Sequence, residues 1–86
     1  MNNIIEFPGN TVTPEQKSQE ITQQISAELV KIMDGNGINI QSENFVVDSV
    51  GLIKIVQAVV DSQLGLKNNL SQGIRDLGQK LINGNK

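Results

Sequence analysis

Three runs of Ile, Leu and Val at helical spacing, separated by glycine-bearing segments, constrain this 86-residue chain more than any other feature. In the first run, Ile21, Ile25, Leu29 and Ile32 recur every three or four residues, which lines them along one side of a helix. In the third, Leu70, Ile74, Leu77 and Leu81 do the same. The middle run is denser and broader. Three amphipathic helices predict an all-α chain, a three-helix arrangement around one small core.

The start of the first helix is the sharpest local signal. Thr13-Pro14-Glu15-Gln16 puts Thr at the N-cap, Pro at the first helical position and Gln at the third. The Thr13 hydroxyl can accept the Gln16 amide, while the Gln16 side chain accepts the amide of Thr13. Glu15 and Glu20 suit the positive end of the helix dipole. The predicted helix covers 14–33, with Gly35 at the left-handed position that ends it.

Residues 42–64 contain six Val and two Ile, a composition that suits a strand. Length argues the other way, because strands seldom exceed about ten residues and no turn signal interrupts the stretch. A helix over 43–64 is predicted, capped by Ser42 with Glu43 in its first turn. Phe45, Val46, Ser49 and Leu52 begin a wide apolar face that continues through Ile53, Val56, Val59 and Val60. The competing reading is a short hairpin, 38–40 with 45–47, followed by a helix from Asp48. Leu64-Gly65-Leu66 reads as a glycine stop with the following Leu folding back. The third helix is predicted over 69–83, capped by Asn68 or Asn69, and pairs with the second as a helical hairpin. Gly73 and Gly78 each weaken it by about 1 kcal/mol relative to Ala, and they can also permit close helix approach. Residues 1–12, with Ile4, Ile5 and Phe7 before Pro8-Gly9, are predicted to form an extended arm lying as a strap on a single helical domain of residues 13–84.

The chain has no His and no Cys, and no Trp or Tyr. Tetrahedral zinc sites, Ser-His-Asp and Cys-His nucleophiles and disulfides are thereby excluded. A chain this short buries only about 60% of its unfolded surface, and small cores are marginal without staples. Self-association is the remaining remedy. The wide apolar arc of the second helix predicts a symmetric homodimer, with Leu52, Ile53, Val56, Val59 and Val60 at its interface. The net charge of −2, seven scattered basic residues and only two aromatics, Phe7 and Phe45, give no footing for nucleic acid. No run of about 18 apolar residues and no basic-then-apolar N-terminus are present, so neither a membrane span nor a signal peptide is predicted and the expected location is cytoplasmic.

One segment echoes a metal site. Between the first two helices, Asp34, Asn36 and Glu43 fall at positions 3, 5 and 12 of an EF-hand-like calcium loop when Gly37 takes position 6. The same register puts Ile32 where the first carboxylate belongs and Asn39 where an apolar residue normally sits. The plainer reading is a helix C-cap followed by a Gly-Asn-Gly turn. Asp48 and Asp61 are the candidates for acid–base work. Thirteen residues apart on one helix, they are separated by about 20 Å and do not converge. No cofactor and no catalytic set is predicted, and the chain is read as non-enzymatic.

The stretch from Gly37 to Leu77 resembles a pattern found in small uncharacterised proteins of tailed bacteriophages, especially marine cyanophages. The matching residues are Gly37-Ile38, then Phe45-Val46-Val47-Asp48 opening a long Leu/Ile/Val helix, then Leu64-Gly65-Leu66, Asn69-Leu70 and Asp76-Leu77. Ile4-Ile5-Glu6-Phe7-Pro8 is also of a kind seen at the start of such proteins. Leu52 and Ser62 stand where those proteins often carry an acidic residue and an Arg, and Lys67-Asn68-Asn69 where a His-Pro is often found. The resemblance implies a setting rather than an activity: expression inside an infected bacterium. The reading adopted for the chain is a cytoplasmic accessory protein that works by protein–protein contact, with itself and a host protein as the expected partners. A structural or assembly protein of the virion is the alternative.

Overall fold

The computed structural model describes residues 12–84. Three helices follow in order: α1, Pro14–Gly35; α2, Glu43–Gln63; and α3, Ser71–Asn83. Among the described residues there is no strand, so the chain is all-α. Of the arm expected over 1–12, only Val12 lies within the described residues, and it is exposed.

The expected start of α1 is realised bond for bond. Gln16 N donates to Thr13 Oγ1 and Thr13 N donates to Gln16 Oε1, each at 3.1 Å. Its end differs from expectation. Gly35 remains helical, Asn36 is the C-cap, and the left-handed residue is Gly37 at φ 85°. The Asn36 side chain donates to the Ile32 carbonyl at 2.7 Å, Gly37 N bonds Asp34 O and Ile38 N bonds Met33 O. These last two bonds form a Schellman motif, which needs its glycine one residue beyond the cap.

The β-branched middle run is helical from Glu43 onward, and the 38–40/45–47 hairpin does not form. Ser42 accepts the amide of Phe45 at 3.1 Å, fixing the start. Gly65, at φ 74°, ends it in a second Schellman motif, in which Leu66 N bonds Asp61 O at 2.8 Å. Caps at both ends and packing on one flank outweigh the modest strand preference of Val and Ile.

α1 and α2 run antiparallel and pair more extensively than α2 and α3, while α1 and α3 do not touch. The hairpin expected between the second and third helices is therefore the shorter of the two pairings. α3 meets the last turns of α2, where Ser71 Oγ donates to the Ala58 carbonyl at 3.0 Å and Arg75 donates to Ser62 Oγ. No neighbour lies within 4 Å of where a Cβ would stand on Gly73 or Gly78, so these glycines do not mark a close helix crossing. α2 is thus the centre of an open arrangement. Its radius of gyration is 16.9 Å, against about 12 Å for a compact domain of this length.

The apolar core inside one copy is small: Ala58 and Val60 are the buried hydrophobic residues among those described. On α1 the buried positions are Ser18 and Thr22 rather than the Ile stripe. At 100° per residue, Ile21, Ile25 and Ile32 sit roughly 60 to 100° around the helix from Thr22. The ridge facing α2 is Ser18, Thr22 and half-buried Ser26, with half-buried Leu29 and Met33 extending it.

Candidate interaction surface and its polar clamp

Two features of the molecule stand out chemically, a buried polar clamp and a set of uncovered apolar stripes. The clamp centres on Asp61, in the last turn of α2. Its side chain is buried, with one carboxylate oxygen accepting from Ser18 Oγ of α1 and the other from Asn68 Nδ2 at 2.8 Å. Asn68 in turn accepts the Leu70 amide through Oδ1 at 2.9 Å. One carboxylate therefore ties α1, the end of α2 and the loop into α3 together. A carboxylate near a helix C-terminus opposes the helix dipole, and these two donors offset that cost. Thr22 Oγ1, one turn beyond Ser18, is buried with no hydrogen-bond partner among the described residues, a defect worth about 1 to 3 kcal/mol.

This clamp accounts for a departure at α3. The expected cap, Asn68 or Asn69, does not cap the helix; Leu70 stands at the N-cap with no side-chain bond. The Asn68 side chain is already committed, its amide to Asp61 and its oxygen to the amide of Leu70. Asp48, the other expected acid–base candidate, is exposed on α2. The two carboxylates are not brought together, and Asp61 already accepts a hydrogen bond at each oxygen. This geometry makes Asp61 a structural clamp.

The EF-hand-like positions do not gather either. Asp34 lies in the last turn of α1, Asn36 turns its amide toward the Ile32 carbonyl, and Glu43 opens α2. Among the described residues no group of three or more carboxylates stands close enough to hold a metal ion.

The apolar stripes are the larger feature. Ile25 and Ile32 on α1 are 43% and 56% exposed. Together with Leu29 they line a shallow apolar surface edged by Gln24 and Glu28. α3 is strongly amphipathic yet buries none of its residues. Leu77, Leu81 and Ile82 are 57%, 69% and 84% exposed. Of the five residues expected at an interface on α2, Val60 is buried within the chain, Ile53 and Val56 are half-buried, and Leu52 and Val59 are exposed beside Ile55. Contiguous apolar surface rimmed by polar groups marks an interaction site.

None of the described helices is long and apolar enough to cross a membrane. Compared with family models, curated proteins and solved structures, the chain matches none of them.

Proposed function

We propose that this chain is a non-enzymatic accessory protein of a tailed bacteriophage, acting by protein–protein contact, with a second copy of itself as its first partner. The observation that supports this most is α3, an amphipathic helix of 13 residues whose Leu77, Leu81 and Ile82 side chains find no cover among the described residues. A helix of that length is marginal in water and depends on burying its apolar face. The composition supports the non-enzymatic part, because it supplies apolar faces in place of His, Cys and paired carboxylates. The phage setting rests on the resemblance of the Gly37–Leu77 stretch, and within that setting a host protein is the further partner proposed. A homodimer accords with the two-fold symmetry usual among small self-associating proteins.

Sedimentation velocity over a micromolar concentration series tests the self-association. The expected result is a species of twice the chain mass that dissociates on dilution. A species of single-chain mass throughout the series would contradict it.

A further inference from the structure

The α1 and α3 stripes match each other in three respects. Each spans twelve residues, Ile21 to Ile32 and Leu70 to Leu81, or about 16 Å of helix between its end residues. Each carries four large aliphatic side chains at spacings of three and four. Their charges are opposite in sign: α1 holds Glu15, Glu20, Glu28 and Asp34 against Lys17 and Lys31, a net −2, while α3 holds Arg75 and Lys80 against Asp76, a net +1. Glu28 edges the α1 surface and Lys80 lies on one flank of the α3 stripe at helical spacing.

Within one copy these faces do not meet. The Asp61 clamp holds α1 and the 64–70 loop in place, and the Ser71–Ala58 and Arg75–Ser62 bonds hold the start of α3 on α2. Bringing α3 onto its own α1 breaks those bonds. A second copy needs no such rearrangement. We infer that the protein forms a two-fold dimer in which the projecting half of α3 from each copy lies along the Ile21–Ile32 stripe of α1 in the other, with Lys80 facing Glu28. This rests on the self-association proposed above and adds the seam. Two symmetry-related seams close the assembly and leave neither an α1 nor an α3 stripe free to propagate. They also leave Leu52, Ile55 and Val59 of α2 uncovered.

The chain contains no cysteine, so single-cysteine variants report one position each. An affinity-tagged Ile25→Cys copy is mixed with an untagged Leu77→Cys copy at micromolar concentration, and a short bismaleimide is added. Both positions are exposed in the single chain, and circular dichroism checks that each variant keeps its helix content. The expected result is a predominant cross-link joining tagged to untagged chains, with few tagged–tagged or untagged–untagged products. Sedimentation on the same samples separates the two ways of failing. A dimer that yields only like–like products, or none, overturns this seam and leaves self-association through another face standing. A monomer overturns both.

Discussion

Replacing Asp61 with Ala is expected to cost about 3 kcal/mol of stability, because it orphans a buried hydroxyl on α1 and an amide in the 64–70 loop together. Hydrogen bonds to a charged group contribute about 1.5 to 3 kcal/mol each, and burial of the charge offsets part of the pair. A chain of this length has a total stability of roughly 4 to 13 kcal/mol, so the change removes a large share. It corresponds to a fall of about 15 °C in the melting midpoint. Asp61→Asn keeps an acceptor for one donor and turns its own amide on the other, so about half the loss is expected. Urea melts at one fixed protein concentration check both variants. A loss of only a few tenths of a kcal/mol for Asp61→Ala would show that Asp61 is solvated and clamps nothing.

The second large effect is on association. Leu77 is more than half exposed in the single chain, so Leu77→Glu is expected to leave helix content and the single-copy fold unchanged. In a two-fold dimer each substitution occurs twice. Losing the burial of two Leu side chains, with the remaining exposure worth about half of the usual 1.5 to 3 kcal/mol each, weakens the dimer by about 2 kcal/mol, roughly thirtyfold. Placing a carboxylate in an apolar seam adds to this. Sedimentation equilibrium reads the dissociation constant. An unchanged constant would place Leu77 outside the interface.

The two variants probe the parts of the molecule that the sequence carried least openly. Helix ends were legible because their signals are local. The Thr13-to-Gln16 capping box, Ser42 and the Gly65 stop each involve residues within five positions of one another, and each forms as expected. At the end of α1, two candidate glycines two residues apart could each close the helix, and the cap at Asn36 selects Gly37 over Gly35. The facing of α1 was not legible from hydrophobicity. Its most apolar stripe is not the side that meets α2; that side is Ser18, Thr22 and Ser26, whose small size admits close approach and whose polarity hides it from a search for Ile and Leu. The signal available was the four-residue spacing of those three hydroxyls. Nothing local distinguishes Asp61 from Asp48, the other acid–base candidate on α2. Its burial depends on Ser18, 43 residues earlier, and on Asn68 beyond the turn. Such a group becomes visible only when the chain is folded.

An open chain with three partly uncovered stripes gives the apolar periodicity a second meaning. The same Ile and Leu pattern that specifies helices also specifies what they bury against, and among the described residues Leu77, Leu81 and Ile82 of α3 stay more than half exposed. Amide hydrogen exchange of Ile74–Ile82, followed as the protein is diluted from high to low micromolar concentration, tests that point most directly. Exchange through local opening reports how firmly a segment is held, and mass action makes dimer-held segments depend on concentration. Protection in α3 that falls with dilution, while the α1–α2 pairing around Ser18 and Asp61 keeps its protection longer, is the expected result. Protection in α3 that is strong and independent of concentration would mean that α3 is buried within a single copy, and would contradict the open fold and the dimer together.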